Sequence, residues 1–352
     1  MKLSGWMRAG KVPGVGLDIG SNSVKLVEVT KKGGRLALTN FGIGELLPEA
    51  IVDGEVMDRD VVIDTIRELF ESRKFHTRDV ATAVSGRAVI VKKILVDKMP
   101  PEEANEAVYL EAEQHIPYSI DDVYLDFQVL KEQDDKNEGK MELLLVAAKR
   151  DTVDAHAALV REAGLTPRLI DVDSFAVQNA YEANYQPDAA DTILLMNIGA
   201  FVSNLNIIRC GVPLFTRDLS IAGNTFVEAV QKKLNVDREK AHERMWAPDD
   251  TRPPEIAEIV AAIGEDLSVG IERSLTFLKS SGESERIDRI VLSGGSSRIP
   301  GLLGVFSDRH GLPVEVANPL ARIHYEDSLF AGEDPESVSP ALMVAVGLAL
   351  RR

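Results

Sequence analysis

Cysteine is nearly missing from this sequence: Cys210 stands alone among 352 residues, which excludes an internal disulfide and any metal site built on several thiolates. Long apolar runs are missing too. The longest, at 143–148 and 341–350, fall short of the roughly 20 residues a spanning helix needs. Behind Lys2, Arg8 and Lys11 there is no stretch of about 7–15 apolar residues, so no secretory signal is read. Trp6 and Met7 among those cations either touch a membrane surface or belong to a frayed terminus. Positive charge is also in deficit. With 40 Lys and Arg against 56 Asp and Glu the net charge is −16, which confines any nucleic-acid contact to a local patch. The expectation is a cytoplasmic chain with no nucleic-acid partner and no direct membrane insertion. At roughly 150 residues per domain, its length leaves room for two or three domains.

Familiar catalytic motifs are absent as well. There is no G-x-x-x-x-G-K-[ST], so a P-loop is excluded. GVGLDI (14–19) has Ile19 where a dinucleotide fingerprint needs its third glycine, and no helical pattern follows it. No G-x-S-x-G elbow occurs. The six histidines are dispersed with no H-x-x-x-H pair, which argues against zinc. The acidic stretches 102–113 and 266–272 read as solvated helix faces.

What remains is mixed α/β texture. Residues 14–20, 24–30 and 35–41 read as three short strands joined by SNS and KKGG turns, an antiparallel meander. A helix is expected over 58–73, where Val61, Val62, Ile66, Leu69 and Phe70 fall at helical spacing. Strands at 80–86 and 89–96 precede a helix that opens at Pro100–Pro101 and stops before Pro117. Strands at 123–130 and 141–149 flank the charged loop 132–139, and a helix over 151–163 ends at Gly164. Residues 192–219 then repeat the opening theme of strand, tight turn and strand. Aligned at the glycines, 17–29 and 196–208 share Ile19 with Ile198, Gly20 with Gly199 and Leu26 with Leu205, while Asp18 stands opposite Asn197.

Small-residue turns between strands present successive backbone N–H groups that can cradle phosphate oxygens, and glycine admits a ligand close to the main chain. Gly20, Ser21, Asn22 and Ser23 supply such a turn, with Lys25 as a cation; Asn197, Gly199, Ala200 and Phe201 supply a second. A third cluster, Gly294, Gly295 and Ser296, follows a strand, where a flat base or sugar could lie against the backbone or a plain turn could stand.

Three turns in this order resemble the actin-like ATPase superfamily. That resemblance implies an α/β fold with a duplicated two-lobe core around an ATP cleft. It puts Asp18 near Mg²⁺ through water, Ser21 to Ser23 and Lys25 at the β/γ phosphates, Asn197 to Phe201 at the second phosphate turn and Gly294 to Ser296 at the adenosine. Residues 85–130, above all EAEQHIPYSIDDVYLDF (111–127), together with the ending SPALMVAVGLALR (339–351), resemble the PilM family of type IV pilus assembly proteins, an FtsA-related branch. By that resemblance the first lobe core comprises 1–84, 166–190 and 338–352, with an inserted strand-helix-strand-strand (SHS2-like) subdomain at 85–165. The second lobe comprises 191–230 and 287–337, with a helical subdomain at 231–286.

The family implies an ATP-binding scaffold that is peripheral on the inner membrane, holds the cytoplasmic N-terminal peptide of PilN between first lobe and insertion, and contacts the pilus motor ATPases and platform protein. An FtsA-like membrane tether and a small-molecule kinase of the same superfold are the competing readings. Two departures favour binding over turnover: Asn197 where hydrolysing relatives carry Asp, and Ala222 where they often carry Gly. Asp173 and Gln178 are the candidates for positioning an attacking water, although Asp173 could instead cap the helix at 174–181.

Overall fold

The computed structural model describes residues 14–351, except 53, 87, 133–138, 189, 248–250 and 281–285, with backbone only at 101–106. The segment with Trp6 and Met7, and most of the loop 132–139, lie outside the described residues.

The chain opens with β1 (Val15–Ile19), β2 (Ser23–Lys32) and β3 (Arg35–Glu45), then a short hairpin of β4 (Ile51–Val52) and β5 (Glu55–Val56). Helix α1 (Arg59–Arg73) and β6 (Asp79–Val84) follow. Asp58 starts α1 by accepting the Val61 N–H, and Lys74 ends it in the left-handed region at φ 55°. A three-stranded unit comes next: β7 (Val89–Asp97), α2 (Pro101–Ala112), β8 (Val123–Lys131) and β9 (Lys140–Lys149), paired in the order β7-β9-β8. The path returns through α3 (Arg150–Glu162), β10 (Thr166–Val172) and α4 (Asp173–Tyr185). The second half contains β11 (Thr192–Ile198), β12 (Ser203–Arg209), β13 (Val212–Leu219), α5 (Gly223–Leu234), α6 (Arg238–Met245) and α7 (Pro254–Ser280). It finishes with β14 (Arg289–Ser293), α8 (Leu302–His310), β15 (Val314–Val316), α9 (Pro335–Val338) and α10 (Met343–Ala349).

Two five-stranded sheets share one topology. The first runs β10-β6-β1-β2-β3 and the second β15-β14-β11-β12-β13, each an antiparallel meander extended by two parallel strands. The opening hairpins agree in register: Ile19 pairs Val24 as Ile198 pairs Ser203, and Leu17 pairs Leu26 as Met196 pairs Leu205. Both turns close on the same bond, Gly20 N–H to Ser23 O at 3.1 Å and Gly199 N–H to Val202 O at 3.0 Å. The short internal repeat in the sequence is thus a duplicated fold.

Strands buried on both faces read as nearly continuous apolar runs, and the packing explains them. The outer face of the first sheet, with Leu17, Val24 and Leu26, meets α1 and α3. The outer face of the second, with Met196, Leu205 and Ile207, meets α5 to α8. Between the sheets lie α4 and α10. Val27, Val29 and Ala81 of the first sheet, Ala176 and Tyr181 of α4, Ala345 and Leu348 of α10, and Ile193 and Val291 of the second sheet belong to one continuous core. The three-stranded unit has a separate core of Ile94, Val108, Leu125, Leu143 and Leu145.

Candidate functional site

Parallel strands of an open α/β sheet deliver loops at their carboxyl ends, where ligands bind. Here β1 and β6 from one sheet and β11 and β14 from the other aim those ends at a single cleft of about 980 Å³. All three glycine turns line it: Asp18, Gly20 to Ser23 and Lys25; Asn197 and Gly199 to Phe201; Gly294 to Ser296. Asp173, the first residue of α4, is also in the lining.

In the first turn Lys25 Nζ stands 3.2 Å from Asp18 Oδ2, the two side chains only 14% and 12% exposed, and Lys25 also donates to the Ser23 carbonyl at 3.4 Å. The pair occupies facing positions on β1 and β2. A lysine beside an aspartate on a floor of backbone amides provides one cation for phosphate and one carboxylate for a hydrated metal.

The second turn is bolted to its neighbours. The first amides of α5 donate to it, Gly223 N–H to Gly199 O at 2.9 Å and Asn224 N–H to Ala200 O at 2.8 Å, and Ser296 Oγ donates to Gly199 O at 3.1 Å. A Cβ on Gly223 would stand 2.1 Å from Ser296 Oγ and 3.2 Å from Gly199 O, so a larger residue there would displace the Ser296 hydroxyl from its bond. Ala222, by contrast, lies in extended backbone at φ −156° that any residue adopts, so alanine in place of glycine strains nothing. Gly294 has φ 88°, and its missing Cβ would meet Ile198 O at 2.4 Å; Gly295 has nothing within 4 Å and leaves its face open. Ser296 therefore secures the turns to each other, and Gly295 offers the free backbone surface.

Sequence reasoning missed one wall. Arg238, Glu239, His242 and Met245 of α6, with Trp246, line the cleft. Asn224 accepts from Arg238 Nη2 at 2.5 Å. Its Nδ2 and the Trp246 Nε1 are buried without a partner among the described residues. Buried donors without acceptors are costly. His156, set aside in the sequence, also lines the cleft; its Nε2 lies 2.8 Å from Thr82 Oγ1, and burial lowers its pKa to about 4.

The two water-positioning candidates separate. Gln178 is absent from the cleft lining. Its amide donates to Glu182 Oε1 at 2.7 Å and the Gly211 carbonyl at 2.9 Å, so it braces the hairpin turn between β12 and β13. Asp173 is not the N-cap of α4, a position held by Val172 with no side-chain bond. Burial, then the charge of Asp18, raise its pKa to about 7, against the opposing effects of a Ser85 hydrogen bond and of Lys25.

In nucleotide-free protein a carbon-detected titration should find the Asp173 midpoint near 7 and see it fall in Asp18→Asn; a midpoint near 4 in the parent would refute the geometry. The linked stability follows in sign: a carboxyl whose folded pKa exceeds its unfolded value of about 3.9 contributes fully below about pH 4. That contribution is lost as pH rises through about 7.

The arrangement fits a nucleoside triphosphate: amide turns and a lysine for phosphates, and an open glycine surface for the nucleoside. Among the described residues no group of three or more His, Cys, Asp or Glu could hold a metal. Mg²⁺, which typically keeps several waters and binds through one or two carboxylates and phosphates, would depend here on Asp18 and the ligand.

Known proteins place this architecture. The chain is similar to the chain in a PilM–PilN type IV pilus biogenesis complex, at 32% identity and TM-score 0.85, covering 97% of this chain and 98% of that one. The fold recurs in the ethanolamine utilization protein EutJ from Carboxydothermus hydrogenoformans, at 16% identity and TM-score 0.58, covering 96% and 89%. It recurs again in MreB5 of Spiroplasma citri bound to AMPPNP, at 14% identity and TM-score 0.54, covering 95% and 93%. At such identities these two likenesses speak for the actin-like fold alone. The model of the type IV pilus assembly protein PilM matches residues 16–352, and with duplicated sheets, a three-stranded insertion and one cleft between them, this chain belongs to that family.

Proposed function

We propose that the chain is an ATP-binding scaffold of type IV pilus assembly, which takes ATP with Mg²⁺ in the cleft and holds the cytoplasmic N-terminal peptide of PilN. The observation that carries the reading is the convergence of all three glycine turns, Lys25 and Asp18 on one cleft. Lys25 and the first-turn amides would meet the β/γ phosphates, and Gly295 with the α6 wall would take the nucleoside. Mg²⁺, when bound, would screen phosphate charge. Asp173, at the start of α4 in the cleft lining, would be the residue placed to orient an attacking water, and the missing charge at Asn197 would keep hydrolysis slow at most.

The peptide would lie between β10 and the sheet face turned away from α2. A small, mainly apolar depression of about 60 Å³ there, room for one side chain of the peptide, is lined by Val84, Val146, Ala148, Ile170, Val172 and Phe175 together with Asp126 and Asp171. It touches both the first sheet and the insertion, so a peptide anchored in it would feel lobe closure over nucleotide. The same lobes and subdomains would follow, except that α3 would belong to the first lobe, since Leu159, Val160 and Ala163 pack with its sheet. No described helix is long and apolar enough to cross a membrane, and PilN would bring the chain to the inner membrane. The motor ATPases and platform protein are the further partners that the family implies.

Calorimetry with ATP, Mg²⁺ and a PilN peptide tests both parts. Ala148→Arg puts a charge into the depression and should weaken the peptide at least about 10-fold while ATP still binds. Undiminished peptide binding would move the partner elsewhere.

A further inference from the structure

Asn197 begins a hydrogen-bonded row that passes through Asn204, also in the cleft lining, to Asp218 outside it. Ser293 Oγ donates to Asn197 Oδ1 at 3.2 Å, Asn197 Nδ2 donates to Asn204 Oδ1 at 3.3 Å, and Asn204 Nδ2 donates to Asp218 Oδ1 at 2.8 Å. The three side chains face one another across adjoining strands, since Asn197 pairs Asn204 and Asn204 pairs Asp218. The second carboxylate oxygen, Asp218 Oδ2, accepts the Gly86 N–H at 2.7 Å, from the link between β6 of the first lobe and β7 of the insertion.

The direction of this row is set at its far end. An ionised carboxylate only accepts, whereas a side-chain amide has one accepting and one donating end, and the network around it decides which way it points. Asn204 must turn its NH2 to Asp218 and so its oxygen to Asn197. Asn197 must then turn its NH2 to Asn204, which leaves its oxygen beside Ser293 and Gly294 at the cleft. Ser293 uses one lone pair of that oxygen; a carbonyl has two.

We propose that Asp218 is a positioning residue for the nucleotide site: through Asn204 it fixes Asn197 so that an oxygen acceptor, and not an NH2 donor, stands beside Ser293 and Gly294 at the third glycine turn. This rests on the nucleotide reading above. An acceptor suits the waters of hydrated Mg²⁺, whereas a donor suits a phosphate oxygen. Aspartate at 197 would present an acceptor in either orientation. With asparagine the orientation has to be imposed, and the carboxylate that imposes it stands two strands away. Gly86 adds a condition. It follows β6 on the way to β7, with φ 85°, so the row is complete only while this link keeps its place against the second lobe.

Two readouts test the row. In ¹⁵N-labelled, nucleotide-free protein the Asn197 and Asn204 side-chain NH2 protons should exchange slowly. In Asp218→Ala they should exchange about 5- to 10-fold faster, the effect of losing one hydrogen bond; Asp218→Asn, which conserves size, should show the same sense. In calorimetry the ratio of ATP affinity with Mg²⁺ to that in EDTA, measured within each variant, should fall about 5- to 10-fold in Asp218→Ala. Adding Asn197→Asp to Asp218→Ala should restore the ratio. Slow exchange that persists in Asp218→Ala, an unchanged ratio, or a double variant that restores nothing would each overturn the proposal. Wild-type protein that bound no ATP would remove the nucleotide reading instead. Amide exchange would then still decide the row, which fast exchange in the wild type would sink.

Discussion

Gly347→Ala should destabilise the whole molecule, although glycine to alanine inside a helix ordinarily stabilises by about 1 kcal/mol. A Cβ on Gly347 would stand 1.8 Å from the Ala176 carbonyl oxygen and 3.0 Å from its Cα, so α10 and α4 touch backbone to backbone. Neither partner is a flexible side chain that can swing aside. Overpacking of this kind typically costs about 1–3 kcal/mol and occasionally more, and the upper end applies where two helices must separate. Because α4 and α10 belong to the core that both sheets share, both lobes should loosen together. Gly304→Ala in α8 is the control, since nothing lies within 4 Å of its Cβ position; it should be neutral or stabilising. Thermal or denaturant unfolding of the pair should give shifts of opposite sign. A Gly347→Ala protein as stable as the parent would mean that the helices do not cross this closely.

The second large effect is expected at Lys25. Lys25→Ala removes the only cation that the first turn offers to phosphate, and it leaves the Asp18 carboxylate, now 3.2 Å from the ammonium, without its partner. A charge-assisted hydrogen bond contributes about 1.5–3 kcal/mol, and an unneutralised carboxylate facing a triphosphate adds repulsion to that loss. ATP affinity should therefore fall on the order of 100-fold or more. Asp18→Asn in the same background should recover part of it. That recovery separates repulsion from a simple loss of contact, because a merely damaged turn would gain nothing from the second change. Affinity unchanged in Lys25→Ala would remove the first hairpin from the phosphate site.

How much of this was legible beforehand depended on the kind of constraint. The glycine turns could be read because backbone geometry leaves few residue choices where a Cβ would meet a carbonyl, as at Gly294 beside Ile198. The repeat was readable for a similar reason: Ile19 and Ile198, Leu26 and Leu205 occupy matched positions in matched hairpins. The α6 wall was not. Arg238, Glu239 and His242 form the polar stripe of a short helix, and in sequence that stripe is indistinguishable from a solvated face.

Gln178 failed differently, since its amide is taken up by Gly211 and Glu182, partners that only the folded chain brings near. Asn204 and Asp218 became neighbours only once strand register was known. The small hairpin of β4 and β5 carries too few residues for alternation to reveal it. Two lobes were expected from the sequence; that α4 and α10 form a layer common to both was not, because an apolar helix does not announce which sheets it will lie between.

The shared layer also sets a timetable for synthesis. The inner face of the first sheet, formed by strands within residues 15–84 and 166–172, is covered by α10 at residues 343–349. A ribosome adds about 5–20 residues per second, so Val27, Val29 and Ala81 wait for their cover for tens of seconds after they emerge. During that interval the nascent chain displays an unfinished apolar sheet face, the kind of surface that holdase chaperones bind. Synthesis slowed late in the chain should therefore prolong chaperone occupancy and lower the soluble yield, even with every residue unchanged.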